Sequence, residues 1–338
     1  MILVTGATGI LGSHLLYHLL QSEERVVALY RSKEKIKKVA LIFSYYTNSA
    51  DIYLDKIIWK KADINNTSEL EEAFEGIDEI YHCAAYVDIK NKNLNKYYEV
   101  NVQGTANIVN LALEYNIKKL VHVSSIAALG LNKEGLTTEN TTVNPDEITS
   151  YYSKSKYYSE IQVWRGIEEG LNAVIVNPSV ILAPYFIEGK LEKIASRIFD
   201  KGIKYYACGK KGFVDVNDVA KIMILLMKSD IQKERFILNS KNLSFKSLLN
   251  IFSKKIDKNP PSVKLNKNKL LFIKFILSIL QLGKPTLNNQ LIHYLINDEL
   301  YSNEKIKNEL NYEFTAIDES VGNLVKIYQK ILNKNGSN

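Results

Sequence analysis

Tyr152 and Lys156 are a pair of side chains in this 338-residue sequence that could carry out acid–base chemistry. The two residues are four positions apart, so on a helix they lie on the same face. A phenol has a pKa of about 10, and a nearby ammonium group favours the phenolate and lowers that pKa. The pair is therefore a candidate for proton transfer. The same spacing also occurs by chance, and the further tyrosines around it suit an ordinary surface helix.

The serine pair Ser124 and Ser125 is a second candidate, because it directly follows a predicted strand at residues 119–123. In an open α/β sheet, ligands bind in the crevice at the carboxyl ends of the strands. A hydroxyl at this edge can hydrogen-bond a substrate oxygen and stabilise the negative charge that develops on it. Two serines after a strand can equally serve as a helix cap or a turn.

Gly6, Gly9 and Gly12 have the spacing of a dinucleotide-binding turn. Gly6 permits a tight turn from strand to helix, Gly9 allows a pyrophosphate to approach the backbone, and Gly12 allows the helix to pack closely on the sheet. The N–H groups at the start of that helix can then bind the phosphates. A glycine triplet alone could be only a tight turn. Here, however, an apolar strand precedes it, an apolar-periodic helix follows it, and a second strand is predicted at residues 25–30.

Alternating strands and helices are predicted to position these residues. The further strands predicted in the first half lie at residues 56–59, 78–82, 119–123 and 173–176. The helices predicted with them lie at residues 32–43, 70–74, 93–115 and 151–169. This alternation is the signature of a doubly wound parallel sheet, so we expect an α/β fold of the Rossmann type.

A second, smaller domain is expected in the C-terminal half, where the pattern is less regular. We predict a dinucleotide-binding domain at residues 1–178, with returning pieces near residues 213–240. The remaining residues, 179–212 and 240–338, are expected to form a mostly helical cap that binds the substrate.

Composition excludes several classes of protein. The net charge of +7 comes mostly from lysines spread along the chain, whereas nucleic-acid binding needs a clustered basic patch. Cys83 and Cys208 are far apart and match no metal-binding or disulfide pattern, which favours a reducing compartment. The first strand begins at Met1, and the apolar stretch at residues 270–282 is shorter than a membrane span and contains Lys274. We therefore expect a cytoplasmic protein without metal, nucleic-acid or membrane partners.

Taken together, these motifs resemble an extended short-chain dehydrogenase/reductase of the NAD-dependent epimerase/dehydratase family, in its dihydroflavonol-reductase-like group. The resemblance covers nearly the whole sequence. The matching stretches are residues 5–12, 62–64, 82–85, 101–105, 123–125, 152–160, 177–180 and 213–220. The chain departs from the family at Ala183, where a glycine is common, and at Lys211, where sugar-nucleotide enzymes often carry an arginine.

The resemblance implies a catalytic role for three residues. Ser125, five residues before Gly130, matches the catalytic serine better than Ser124 does. Tyr152 is implied to be the acid/base, and Lys156 is implied to bind the nicotinamide ribose and to lower the pKa of the phenol. Asn101 is implied either to pack helices together or to take part in a proton relay.

The resemblance also implies which residues bind the cofactor. Those at the pyrophosphate turn are Gly6, Thr8, Gly9, Ile10, Leu11 and Gly12. Those at the adenosine are Asp63, Ile64, Ala84 and Ala85, and those at the nicotinamide are Pro178 and Val180 beside Lys156. We expect NADP in preference to NAD, because the second strand ends at Arg31 without the acidic residue that binds the ribose diol of NAD. A solvent-facing arginine is the alternative.

These observations predict an NADP-dependent oxidoreductase that reduces a carbonyl, or oxidises a secondary alcohol, of a small non-nucleotide substrate. Ser125 is followed by Ile126-Ala127 and not by the acidic pair of sugar-nucleotide dehydratases, and the cap half contains few arginines. The apolar helix at residues 270–282 could line an apolar pocket or simply form core. The alternatives are a nucleotide-sugar epimerase with a tightly bound NAD(P), and a cofactor-binding scaffold without activity. The intact Tyr152 and Lys156 argue against the scaffold.

The resemblance finally implies a homodimer. Two helices, at residues 93–115 and 151–169, pair into a four-helix interface in many relatives. In this sequence they carry apolar residues at plausible facing positions, namely Ile108, Leu111, Ile161 and Trp164. The alternative is a monomer in which these side chains pack only on the sheet.

Overall fold

The computed structural model describes residues 1–23, 25–88, 93–132, 134–148, 150–184, 190–279 and 287–335. The strands of the described chain are, in order, β1 Ile2–Thr5, β2 Val26–Tyr30, β3 Ile57–Lys61, β4 Glu79–His82, β5 Lys119–Val123, β6 Ala173–Pro178, β7 Val180–Leu182, β8 Tyr205–Ala207, β9 Lys210–Asp215, β10 Glu234–Leu238, β11 Lys241–Ser244 and β12 Val263–Leu265. Seven of them form one parallel sheet in the order β10-β6-β5-β4-β1-β2-β3. The doubly wound α/β fold predicted from the sequence is confirmed.

Helices cover both faces of this sheet. The α-helices of the described chain are α1 Ile10–Leu19, α2 Ile36–Phe43, α3 Ala50–Leu54, α4 Thr67–Phe74, α5 Leu94–Tyr97, α6 Gly104–Glu114, α7 Tyr151–Glu168, α8 Lys190–Lys201, α9 Val216–Lys228, α10 Phe245–Lys255, α11 Lys267–Ile279, α12 Asn289–Ile296, α13 Glu304–Leu310 and α14 Ile317–Asn335. Shorter 3₁₀ turns lie at Lys33–Lys35, Ile126–Ala128 and Pro145–Glu147, and a π-helical turn spans Tyr98–Gln103.

Two apolar cores follow from the alternation of side chains along the strands. Val4 points to the face covered by α1, α2 and α9, whereas its neighbour Leu3 points to the face covered by α4, α6 and α7. Because both faces are covered, the strands are nearly continuous apolar runs. All six residues of β6 are buried, for example. The sheet therefore provides a rigid base whose carboxyl edge carries the candidate site.

A smaller unit lies beyond this sheet. It contains a three-stranded sheet in the order β11-β9-β7, the parallel pair β12 and β8, and a separate apolar cluster around Phe213, Ile256 and Val321. The strand β10 returns to the large sheet, where it pairs with β6, and α9 packs against the same sheet. No described helix is long and apolar enough to cross a membrane.

The predicted apolar helix at residues 270–282 corresponds to α11 as far as residue 279, and residues 280–282 lie outside the described residues. Leu270 is buried, but Phe272 is 63% exposed. The helix is therefore only partly covered by the rest of the chain.

Candidate active site

The turn between β1 and α1 has the backbone geometry of a phosphate-binding loop. Gly6 has a φ of +63°, and a Cβ atom there would lie 2.6 Å from the backbone nitrogen of Ala84. A Cβ at Gly12 would lie 2.3 Å from the carbonyl oxygen of Gly6. Both positions therefore require glycine for steric reasons.

Gly9 differs, because it is exposed at the tip of the turn and forms the N-cap of α1. No side chain caps α1, so no cap residue occupies the N–H groups of its first turn. Thr8, Ile10 and Leu11 beside it are half-buried. These features fit the pyrophosphate of a dinucleotide, which would accept hydrogen bonds from the free N–H groups.

The residues predicted to bind the adenosine lie at the carboxyl ends of β2, β3 and β4. Arg31 follows β2, is half exposed, and lies 3.7 Å from the carboxylate of Asp63. Ala84 is half-buried and Ala85 is exposed. Ile64 is only 6% exposed and packs against Gly104, so of the predicted adenine pair only Asp63 presents an accessible side chain.

The serine pair divides into two roles. Ser124 is buried, and its hydroxyl donates a hydrogen bond of 2.7 Å to the Glu160 carboxylate. Ser125 is half-buried, and its hydroxyl accepts a hydrogen bond from the backbone N–H of Ala127 at 3.1 Å. A hydrogen bond from Ser125 also acts to lower the pKa of Tyr152. The structure thus brings Ser125 and Tyr152 together.

The pKa of Tyr152 differs from the sequence-based expectation. Burial raises it above its ordinary value, and this effect outweighs the hydrogen bond from Ser125. The net direction is therefore opposite to the lowering of the Tyr152 pKa that we expected from Lys156. The Lys156 ammonium is instead engaged with the Val123 carbonyl oxygen at 2.7 Å.

Lys156 itself is 2% exposed, and burial lowers its pKa to about 8. The neighbouring Glu160 carboxylate and the Cys83 thiol act in the opposite direction. The side chain is therefore mostly in its ammonium form at pH 7 but loses its proton well before an exposed lysine would.

Asn101 connects the site to its surroundings. Its amide bonds both the N–H and the carbonyl of Tyr86, at 2.6 and 3.0 Å, and donates to the Ser155 hydroxyl at 2.8 Å. It lies in the π-helical turn that interrupts the continuous helix predicted at residues 93–115. Such turns insert one extra residue and are frequent at functional sites. These contacts are those of the packing role.

Two buried histidines lie behind the site. His82 bonds the hydroxyls of Thr5 and Thr105, at 2.7 and 3.0 Å, and the His122 ring lies 5.1 Å away. Burial, together with the Lys156 charge, lowers the pKa of His82 to about 3. The pKa of His122 is also lowered. Both rings are neutral at pH 7.

Acid is therefore expected to destabilise the fold through these rings. Because the pKa of His82 is lower in the folded than in the unfolded state, its contribution is present above about pH 6.5 and is lost as the pH falls. Between pH 7 and pH 5 the free energy of unfolding should drop by about 2 kcal/mol for this histidine. Urea unfolding at both pH values, with His82→Asn as a variant that cannot titrate, measures this difference. His293→Asn, at an exposed position, is the control; an equal slope in His82→Asn and the wild type would contradict the expectation.

The residues predicted to lie at the nicotinamide are at the end of β6 and the start of β7. Pro178 is buried and Val180 is half-buried against the core of the smaller unit. Lys211 on β9 is fully buried, pairs with Glu299 at 2.7 Å, and lies under the Tyr294 ring. The Lys211 ammonium is therefore balanced by the Glu299 carboxylate inside the protein.

The predicted dimer positions do not share one exposed face. Ile108 and Leu111 are buried in the core between α6 and the sheet, so they are unavailable to a partner subunit. Trp164 is half-buried, whereas Ile161 is 37% exposed. The amphipathic pattern of α6 is explained by packing on the sheet.

Sequence reasoning missed the group around Glu160. Its carboxylate accepts hydrogen bonds from Ser124, Asn177, Trp164 and Arg235. No local pattern indicates this group, because Arg235 is 75 residues from Glu160. Within the described ranges, no cluster of three or more His, Cys, Asp or Glu side chains could hold a metal ion.

Comparisons with known sequences and structures find similar proteins. The family model described as "NAD dependent epimerase/dehydratase family" matches residues 2–238. Sterol demethylase protein B of Methylococcus capsulatus is 30% identical over 250 residues, covering 73% of this chain and 72% of that protein. The putative dihydroflavonol 4-reductase of Synechocystis sp. is 28% identical over 252 residues, covering 73% and 69%. The crystal structure of gox2253 superimposes with a TM-score of 0.79 at 26% identity and covers 98% of both chains.

Proposed function

Because the chain belongs to the NAD-dependent epimerase/dehydratase family, we propose that it is an NADP-dependent oxidoreductase acting on a small substrate without a nucleotide. It reduces a carbonyl group or oxidises the corresponding secondary alcohol. The observation that carries this proposal is the meeting of Ser125, Tyr152 and Lys156 at the carboxyl edge of the sheet, beside the glycine turn.

Each of the three side chains has a distinct task. When bound, NADPH would supply a hydride from C4 of its nicotinamide to the carbonyl carbon. Tyr152 donates its phenolic proton to the carbonyl oxygen, and its raised pKa keeps that proton in place at neutral pH. Ser125 hydrogen-bonds the same oxygen as negative charge develops on it. The Lys156 ammonium would bind the nicotinamide ribose and stabilise the tyrosinate that remains.

The burial and pairing of Lys211 and Arg235 support a substrate without a nucleotide. A diphosphate needs accessible cationic donors, and arginine suits phosphate better than lysine does. Lys211 is buried in its pair with Glu299, and Arg235 is held by Glu160. Arg197, by contrast, is exposed.

The exposed apolar side chain of Val87 supports an apolar substrate. Val87 is 61% exposed, although its neighbours are fixed, Tyr86 by Asn101 and Asp88 by the Tyr97 hydroxyl. The Tyr97 ring also lies 6.3 Å from that of Tyr152, and this ring connects the segment that carries Val87 to the proposed acid. The names of two relatives, which refer to a sterol and to a dihydroflavonol, point in the same direction.

A substrate screen tests this proposal. The protein is mixed with NADPH and a panel of aldehydes and ketones, alongside UDP- and dTDP-sugars, and nicotinamide absorbance is followed. We expect oxidation of NADPH with an apolar or aromatic carbonyl. Epimerisation of a sugar nucleotide without net consumption of the cofactor would overturn the proposal in favour of an epimerase.

NADP is preferred in this proposal because cations gather at the end of β2. Lys35 lies near Arg31, Lys38 and Lys96. Its pKa is lowered mainly by burial and then by these three positive charges. Such a cluster of positive charges suits the 2′-phosphate of NADP. The ribose of NAD has no phosphate at this position to balance these charges.

Arg31→Ala is expected to weaken NADP binding by about 10- to 100-fold, because a charge-assisted hydrogen bond to the 2′-phosphate is lost. NAD binding should change little, since NAD lacks this phosphate. Fluorescence titration of the variant with NADPH and NADH measures both affinities. Lys37→Ala, which removes an exposed charge from the neighbouring helix, is the control. Unchanged NADP affinity in Arg31→Ala, or tighter NAD than NADP binding in the wild type, would refute the preference.

We further propose a homodimer, formed through the exposed part of α7. Tyr158 and Ile161 lie on that helix and are 42% and 37% exposed. Analytical ultracentrifugation is expected to show a dimer, which Ile161→Lys should weaken. A monomer at concentrations well above micromolar would contradict the proposal.

The cytoplasm is the proposed compartment. Cys83 and Cys208 are both free thiols, which suits a reducing environment. Fractionation of cells that express the protein tests this assignment.

A further inference from the structure

The carboxylate of Glu160 is buried in a complete set of hydrogen bonds. Oε2 accepts from the Ser124 hydroxyl at 2.7 Å and from Nδ2 of Asn177 at 2.9 Å. Oε1 accepts from Nη1 of Arg235 at 2.9 Å and from Nε1 of Trp164 at 3.3 Å. The side chain is only 5% exposed. Removing a carboxylate from water is costly, so a group with this many partners holds its surroundings in one arrangement.

These hydrogen bonds reach the proposed catalytic serine. Nδ2 of Asn177 also donates to the Ser125 carbonyl oxygen at 3.0 Å, so Glu160 controls Ser125 through one intervening amide. Ser124 is held directly by its hydroxyl and by a backbone hydrogen bond to Val176. The backbone of Ser125 is therefore linked to a carboxylate that does not contact it.

Arg235 supplies the opposite charge from the edge strand β10. Its Nε donates to the Glu139 carbonyl oxygen at 3.0 Å, and Glu139 itself accepts from the backbone N–H of Ile237 at 2.8 Å. The guanidinium is thus held in position by Glu139 as well as by Glu160. Two further parts of the fold, β10 and the loop around residue 139, lock the carboxylate in place.

Glu160 also lies one helical turn beyond Lys156. The titratable groups that face Lys156 are His82 at the end of β4, His122 on β5, Cys83 after β4, and Glu160 on its own helix. Burial lowers the pKa values of the two histidines and raises that of Cys83 to about 12, so all three are neutral at pH 7. Glu160 is the negative charge in this group.

We propose that Glu160 is a positioning residue of the active site, which fixes the Ser124–Ser125 end of β5 and keeps Lys156 in its ammonium form. The residue acts through its neighbours and does not touch the substrate. The turnover readout below rests on the proposed oxidoreductase function, and the binding readout rests only on the proposed contact of Lys156 with the nucleotide.

Glu160→Gln tests the electrostatic part, because glutamine keeps the shape and one acceptor oxygen but removes the charge. Without the carboxylate, Lys156 loses its proton more easily. The pH above which nucleotide binding weakens should move down by about one unit. Fluorescence titration with NADPH or NADH, whichever binds the wild type, measures this pH. The alkaline limb of kcat/KM should move in the same direction. If Glu160 had only a structural role, Glu160→Gln would lower stability and activity at every pH. It would then move neither the pH limit of nucleotide binding nor the alkaline limb of kcat/KM.

Two other variants separate charge from folding. Glu160→Asp restores the charge and should return the alkaline limb toward the wild-type position. The double variant Glu160→Gln with Arg235→Met leaves no unpaired buried cation, so it keeps the measurement possible if the single variant is unstable. It should shift the limb in the same direction but by less, because the Arg235 charge that opposes Glu160 is removed as well.

Glu169→Gln is the matched control, because it removes the same charge from the end of the same helix, where Glu169 pairs with Arg165 at 2.7 Å. We expect no shift in this variant. An unmoved limb in both Glu160→Gln variants, or an equal shift in Glu169→Gln, would overturn the proposal. If the wild type oxidises NADPH with no carbonyl, the proposed function fails, whereas the binding measurement still decides the role of Glu160.

Discussion

Tyr152→Phe is expected to lower kcat by about 10²- to 10⁴-fold, because the proposed proton donor is removed. Only one oxygen atom is lost, and the aromatic ring that contacts Tyr97 remains. The affinity for the cofactor should therefore stay close to that of the wild type. Steady-state kinetics with the substrate from the carbonyl screen, together with an NADPH titration, separate these two quantities.

Two comparisons make this result decisive. Tyr158→Phe makes the same change on the exposed side of the same helix and should leave turnover unaltered. Lys156→Met should reduce both turnover and cofactor affinity, because Lys156 is proposed to serve both. Near-wild-type turnover of Tyr152→Phe on the true substrate would show that the phenol is not the acid.

Much of the large sheet was predictable because its signals are local. A short apolar run bounded by turn residues predicts a strand, and β5 begins and ends at the residues predicted, 119 and 123. The candidate site residues could be proposed for a related reason. In a parallel sheet, the ends of strands and the starts of helices lie at one edge, so short motifs there converge without long-range information.

The remaining features depend on contacts between distant residues. The apolar face of α6 predicts burial, but sequence alone does not show whether the sheet or a partner subunit covers it, and Ile108 proved to face the sheet. In the sequence, Lys211 has no evident partner, and only the folded chain brings Glu299 beside it. The raised pKa of Tyr152 has the same origin, since burial is a property of the folded chain.

Substitutions at the glycine turn should separate folding from cofactor binding. Gly12→Ala places a Cβ atom 2.3 Å from the Gly6 carbonyl oxygen, within the backbone of the turn. Because the backbone cannot yield without moving α1 from the sheet, we expect the free energy of unfolding to fall by about 3 kcal/mol. Urea unfolding of the cofactor-free protein measures this loss.

Gly9→Ala is expected to behave in the opposite way. Its Cβ atom meets only the Gly6 carbonyl oxygen, at 3.1 Å, and otherwise extends into the open space above the turn. Stability should change by less than about 1 kcal/mol, whereas cofactor affinity should fall at least about tenfold, because the pyrophosphate must approach this backbone. Gly322→Ala, in α14, meets only the flexible Lys255 side chain at 3.5 Å and is the control for both measurements. Wild-type affinity in Gly9→Ala would mean that the pyrophosphate lies elsewhere. Equal losses of stability in Gly9→Ala and Gly12→Ala would mean that the turn serves only the fold.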